Sequence, residues 1–274
     1  MYYRHDLDYE YPARSDEHML KVKCKREMNF DENYPYLPKG GFYKFLRGCY
    51  WILLVLIIFP LCRFTHGLRI YGKKNLKKHK KALKNGAITI SNHVFMWDYL
   101  CVLKAIRPRL AYFPAWKTNL EGGFCKLIRL SGGIPIPTGN LHAMAKFNKA
   151  VREVLESGKW LHFFPEGSMW FFYPDIRPLK KAVFHYAAEY GKPVVPITMS
   201  FRPRRGLARL FGKSPRVDLH IGEPLFPDQT LPYREAAAKM HKEAYHLMQV
   251  MNGINPGDPT YNEDQSIENY HSTM

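Results

Sequence analysis

The chain has 274 residues, of which 46% are apolar or aromatic and 24% charged, and its formal net charge is +17. That length and apolar share build a real core, enough for one good-sized domain with an appendage. The basic balance favours acidic partners: nucleic acid, an anionic membrane surface or an acidic carrier protein. Five cysteines (Cys24, Cys49, Cys62, Cys101 and Cys125) are scattered, odd in number and without a C-x-x-C pair. This argues against a disulfide framework and a structural zinc site, and fits reduced thiols in a protein facing the cytosol.

Residues 1–40 read as a polar, loosely ordered leader with no apolar stretch of the secretory type and no assignable chemistry. The next segment, 41–67, reads as a membrane-anchoring helix. Its centre, 48–62, is an uncharged run of fifteen residues. As a helix that run is about 22 Å long at about 1.5 Å per residue, short of the ~30 Å of a bilayer core. The competing reading is a buried core helix. Lys39, Lys44 and Arg47 precede the run, and Arg63, Arg69 and seven lysines between Lys73 and Lys84 follow it. Positive charge on both flanks gives no inside–outside asymmetry. A monotopic or re-entrant anchor on the cytosolic face is therefore favoured over a single-pass span. Tyr50 and Trp51 suit an interfacial position, and the lysine run suits anionic headgroups at about 1 kcal/mol per charge.

From residue 68 to 252 a single α/β domain is expected. Apolar, strand-like stretches at 87–91, 133–136, 160–164, 194–200 and 216–221 alternate with helix-like segments at 97–106, 124–130, 141–157 and 179–190, and a last helix covers 232–251. Such alternation predicts a layered domain with a central mixed β-sheet flanked by helices. Residues 253–274 are polar and acidic and read as a disordered tail.

The chemistry concentrates after the first of these strands, in Ser91-Asn92-His93-Val94-Phe95-Met96-Trp97-Asp98. Positions five apart on a regular helix point about 140° apart. His93 and Asp98 therefore meet only if His93 lies in a turn before the helix and Asp98 in its first turns, with Asn92 as a candidate N-cap. A carboxylate on one imidazole nitrogen fixes the tautomer and leaves the other nitrogen to take a proton. No G-x-S-x-G nucleophile elbow accompanies the pair, so the nucleophile is expected to come from the substrate. No further ligands at metal-binding spacing are evident. A second marker is Phe163-Phe164-Pro165-Glu166-Gly167-Ser168, a strand end followed by a tight turn, where open α/β sheets bind ligands. Glu166 is placed to bind hydroxyls there, and Gly167 permits close backbone approach.

With these residues in view, 68–225 resembles the 1-acylglycerol-3-phosphate O-acyltransferase (lysophospholipid acyltransferase) family in four blocks that occur in order. Asn92-His93-x4-Asp98 is similar to the family's catalytic His-x4-Asp. Gly132-Gly133-Ile134-Pro135-Ile136, Phe164-Pro165-Glu166-Gly167-Ser168 and Val194-Val195-Pro196-Ile197 are similar to the other three. Pro178-Leu179-Lys180-Lys181-Ala182 matches an intervening segment. The resemblance implies that His93, oriented by Asp98, deprotonates a lysoglycerolipid hydroxyl, which attacks the thioester of acyl-CoA or acyl-carrier protein during phospholipid biosynthesis. It implies no other cofactor and no metal, with Glu166, Gly167 and Ser168 positioning the acceptor. Two arginines usual in the family, which grip the acceptor phosphate, are replaced by Thr138 and Met169. Lys180, Lys181 and Arg177 are the candidate substitutes. Two other readings stand beside this one. One is a thioesterase-like hydrolase, with water in place of the lipid hydroxyl. The other is a basic nucleic-acid-binding protein, against which the lysines cluster beside an apolar anchor and no nucleic-acid-binding motif occurs.

Overall fold

The computed structural model describes residues 10–15, 17–19, 23–25, 27–211 and 214–254. The expected tail lies outside the described residues from position 255, and so do the first nine residues of the leader.

The first long element is a continuous helix, Gly41–Thr65, of 25 residues. It consists of α1 (Gly41–Leu53), a π-helical turn (Leu54–Ile58) and α2 (Phe59–Thr65). The uncharged run understates its length because Lys44, Arg47 and Arg63 are good helix formers that carry it past the apolar stretch at both ends. At about 1.5 Å per residue it measures about 37 Å, so the expected shortfall against a ~30 Å bilayer core disappears. The π turn falls just before Pro60, whose missing N–H leaves the hydrogen-bond ladder to regroup at wider spacing. The helix is not a buried core helix either, since only 17% of its most apolar window is buried. One stripe, with Leu54, Phe59 and Cys62, packs on the domain, while Phe42, Phe45, Ile52, Leu56, Ile57 and Phe64 face outward. Hydrogen bonds tether it along its whole length. Tyr43 donates to the Arg129 carbonyl at 2.7 Å and Ser131 to the Tyr50 hydroxyl at 3.0 Å. Lys104 donates to the Phe59 carbonyl and Arg204 to the Thr65 carbonyl, each at 2.5 Å.

The chain then runs through β1 (Arg69–Tyr71), α3 (Lys73–Lys78), β2 (Ile88–Ser91), α4 (Asp98–Ile106), β3 (Ala111–Ala115), α5 (Lys117–Glu121), α6 (Cys125–Ser131) and β4 (Gly133–Pro135). It continues through α7 (Leu141–Glu156), β5 (Trp160–Phe163), α8 (Ala182–Glu189), β6 (Val194–Arg202), β7 (Arg216–Ile221) and α9 (Tyr233–Met251). The seven strands form one mixed sheet in the order β1-β7-β6-β2-β5-β3-β4. Only the β6–β7 pair is antiparallel. β2 is central, and its four residues, Ile-Thr-Ile-Ser, are all buried, as a strand covered on both faces must be. Ile88 and Ile90 join the apolar layer of α7, α8 and α9. The opposite layer combines α4 with Val195, Ile197 and Met199 of β6 and with Leu54 and Phe59 of the long helix. α7 starts where Asn140 accepts the amides of His142 and Ala143 at 2.9 and 3.2 Å, satisfying two of the helix's otherwise unpaired N–H groups.

Two strands have no clear signature in the sequence. β1 is three residues long, and β3 contains Pro114, which argues against a strand interior. Their pairing decides where the lysines go. β1 is parallel to β7, β7 antiparallel to β6, and β6 parallel to β2. β1 therefore runs opposite to β2 and delivers α3 and its exposed lysines to the edge where β2 begins, away from His93. There Lys78 and His79 pair with Glu223 at 3.1 and 2.7 Å.

Candidate active site

The His-x4-Asp stretch lies just past the carboxyl end of β2, the ligand-binding edge of an open α/β sheet. His93 sits in the turn and Asp98 is the first residue of α4. The turn closes the five-residue gap, and His93 Nδ1 lies 2.6 Å from Asp98 Oδ2. Asp98 is 2% exposed, and its Oδ1 accepts the Tyr99 amide at 2.6 Å. A carboxylate held this firmly fixes the proton on Nδ1 and leaves Nε2 as the basic atom. The His93 side chain is 22% exposed, and no hydrogen bond engages Nε2 among the described residues. The Phe164 ring lies nearly flat against the imidazole, with centroids 3.9 Å apart and planes 17° apart, so the ring's orientation is set from both its edge and its face.

Asn92 does not cap α4 as expected. Its side-chain amide donates to the Met199 carbonyl at 2.9 Å and accepts the Met199 amide at 2.8 Å. This two-point clamp ties the His93 turn to β6. The helix begins only at Asp98, too far along the chain for Asn92 to reach its free amides.

Glu166, Ser168 and Arg177 come together, but in a closed, buried cluster, with exposures of 2%, 0% and 2%. Glu166 Oε2 accepts the His93 amide at 2.9 Å and Arg177 Nη2 at 2.8 Å, while Oε1 accepts the Arg177 amide at 3.0 Å. Arg177 Nη1 donates to Ser168 Oγ and to the Ser15 carbonyl, both at 2.7 Å. Its guanidinium carbon stands 4.4 Å over the Trp170 ring. Buried charges survive only when paired and hydrogen-bonded, and these groups pair with one another, with only Arg177 Nε in the cluster left without a partner among the described residues. In this arrangement Glu166 holds the main chain of His93, and Arg177 holds Glu166. Gly167 is exposed with φ +81°, and a Cβ there would stand 2.6 Å from Lys180 Cε. Only glycine fits that turn, and Lys180 is the cation lying over it. Lys181 is half-buried and precedes α8. Thr138 is exposed in the loop after β4, whereas Met169 and Trp170 are buried.

Beyond Ser168 the chain runs beside the His93 turn. The Trp170 amide donates to the His93 carbonyl at 2.9 Å and the Phe172 amide to the Val94 carbonyl at 2.8 Å. The described part of the leader is not loosely ordered but lies across this loop. Tyr11 donates to the Phe171 carbonyl at 3.0 Å, Trp170 Nε1 donates to the Glu17 carbonyl at 2.9 Å, and His18 stacks on Trp116 with centroids 3.8 Å apart. These aromatic partners are distant in sequence, so composition alone could not reveal the docking.

One site residue had no signal beyond its strand position. His162 on β5 is fully buried, 2.9 Å from Thr89 Oγ1 through Nδ1. It meets Phe164 edge-on with centroids 4.5 Å apart. Burial, and then the neighbouring His93, push its pKa down to about 3. It is therefore a neutral floor beneath the His93 turn.

Fold and site together define an α/β protein whose histidine, tautomer-fixed and open at Nε2, can take a proton from a bound hydroxyl. Residues 67–200 match the family model described as acyltransferase. No curated protein matches the chain. Among solved structures it is similar to the 1-acyl-sn-glycerophosphate (LPA) acyltransferase PlsC from Thermotoga maritima, with 18% identity, a TM-score of 0.49 and coverage of 77% of this chain and 89% of that one.

Proposed function

We propose that the protein is a membrane-bound O-acyltransferase that moves a fatty acyl group from a thioester, acyl-CoA or acyl-carrier protein, to a lysoglycerolipid hydroxyl in phospholipid biosynthesis. The observation that carries this reading is the 2.6 Å contact between His93 Nδ1 and Asp98, with Nε2 left unengaged. Nε2 accepts the proton of the lipid hydroxyl while its oxygen bonds to the thioester carbonyl carbon. Collapse of the tetrahedral species breaks the C–S bond, and the proton on His93 passes to the leaving thiolate. A thioester is reactive enough that no acyl-enzyme is needed, and the reaction uses no further cofactor. Lys180, over Gly167, is the cation best placed for an anionic acceptor headgroup, with Lys181 next to it. The long helix lies flat on the cytosolic face of the bilayer as a monotopic anchor. Its tethers at both ends and its outward apolar stripe support this over a span that projects from the domain.

The test is purified protein with one labelled acyl-CoA and a panel of lysolipids with and without a phosphate monoester. The expected result is acceptor-dependent acyl transfer, lost in His93→Ala while circular dichroism is unchanged. Equal thioester loss with and without any lysolipid would establish a hydrolase instead. Full transfer activity in His93→Ala would sink the base assignment.

A further inference from the structure

We infer that the β6–β7 loop is a second membrane-contact element, a leucine edge flanked by arginines that seats the catalytic edge of the sheet on an anionic lipid surface. The inference rests on the lipid-acyltransferase reading only for the location of the substrate. Its physical basis is independent of that reading.

The loop leaves β6 at Arg202 and forms a 3₁₀ helix over Gly206–Phe211. With three residues per turn, side chains three apart eclipse one another, so Leu207 and Leu210 share one edge. They are 77% and 78% exposed among the described residues. Large apolar side chains left together in solvent mark a contact surface. Arg205 and Arg209, also exposed, lie beside them. An apolar edge flanked by arginines is complementary to acyl chains beneath a layer of phosphates.

The loop is held in place relative to the long helix. Arg204 acts as a rivet: Nε donates to the Ser214 carbonyl at 2.6 Å, Nη1 to the Ala208 carbonyl at 3.3 Å and Nη2 to the Thr65 carbonyl at 2.5 Å. The last of these lands one residue from Phe64, which is 67% exposed at the end of the anchor's outward stripe. Arg202 adds a bond to the Gly67 carbonyl at 2.5 Å. The end of the long helix is thus tied directly to the loop that carries the leucine edge. The same loop is tied to the active site, because Phe201, just before it, packs on Phe95 and Phe172 with centroids 6.5 and 4.9 Å apart. Phe95 lies two residues from His93. Lipid contact at the loop therefore presents the His93 edge to the membrane.

The helix alone would keep the protein on vesicles, so the experiment reads the loop directly. Full-length protein carrying Leu207→Trp, with Trp51, Trp97, Trp116, Trp160 and Trp170 replaced by Phe, is bound to phosphatidylcholine–phosphatidylglycerol vesicles containing bromine-labelled acyl chains. Quenching of the reporter by half or more is expected, and fluorescence equal to that on unbrominated vesicles overturns the proposal. Because five Trp→Phe changes can disturb folding, Leu207→Asp/Leu210→Asp in the otherwise native chain is the second arm. Transfer to a vesicle-embedded lysolipid is expected to fall about tenfold, while transfer to a water-soluble short-chain lysolipid stays within about twofold. Equal rates on vesicles also overturn the proposal. If the native chain acylates neither acceptor, the acyltransferase reading fails, and the quenching result still decides the membrane contact.

Discussion

The two edges of the sheet hold charge in opposite ways. At the edge where β2 ends, Asp98, Glu166 and Arg177 are each 2% exposed and bonded to a histidine, to one another or to main chain. At the edge where β2 begins, Lys73, Lys74 and Lys77 of α3 stand in solvent. Both groups are charged residues near strand ends, yet only the first is fixed in geometry. The buried set is expensive to assemble and can therefore place one imidazole accurately. The exposed set costs almost nothing to keep or to lose. A count of charges along the chain cannot separate them.

The largest expected effect is on chemistry at the buried edge. His93→Ala should lower the turnover number by about 10²–10⁴-fold, the usual contribution of a positioned general base. Asp98→Asn should come close to that loss, since the amide can hold the ring in the wrong tautomer. Single-turnover assays on folded protein measure both. Next comes stability. Arg177→Met leaves Glu166 buried without its cation and should destabilise the domain by about 3–5 kcal/mol. Denaturant titration reads this directly, and a change below about 1 kcal/mol would show that the pair is not the lock on His93.

The pH dependence is smaller near neutrality and has a definite sign. An unfolded His162 takes up a proton near pH 6.5, whereas the folded one resists until about 3. Between those values the unfolded state binds more protons, so stability falls as pH falls, by about 1.4 kcal/mol per unit well inside the window. Burial lowers the pKa of His66, His220 and His241 in the same direction. Unfolding curves at pH 7.5, 6 and 5 test the trend, and His162→Gln should flatten it. The smallest effect belongs to the opposite edge. Lys73→Ala/Lys74→Ala/Lys77→Ala should change stability by no more than about 0.5 kcal/mol per site and leave turnover on a soluble acceptor within about twofold. A larger loss would mean that the solvated edge takes part in the site after all.

Much of the molecule was legible in the chain because its signals are local. Helix-like patterning over 141–157 marked α7, and the apolar run at 87–91 marked β2. The need for a turn to bring His93 onto Asp98 followed from helix geometry alone. The illegible parts depend on partners far away in sequence. Asn92 looked like a cap and proved to be a clamp on Met199, 107 positions later. That Glu166 bonds the His93 amide and Arg177 was not visible in the sequence, because both partners lie elsewhere in the chain. The leader looked structureless because Tyr11 and His18 reveal no partners until Trp170 and Trp116 are brought beside them.

By itself the sequence determined the α/β class, the turn that joins His93 to Asp98, the apolar helix and the ordered blocks that resemble an acyltransferase, because periodicity, turn chemistry and motif spacing are properties of neighbouring residues. Only the tertiary structure decided which charges are buried, which way β1 runs and hence where the lysines lie, how far the apolar helix extends along the domain, and that Leu207 and Leu210 are left exposed. Those outcomes depend on strand pairing and desolvation, which arise only when distant segments share one core.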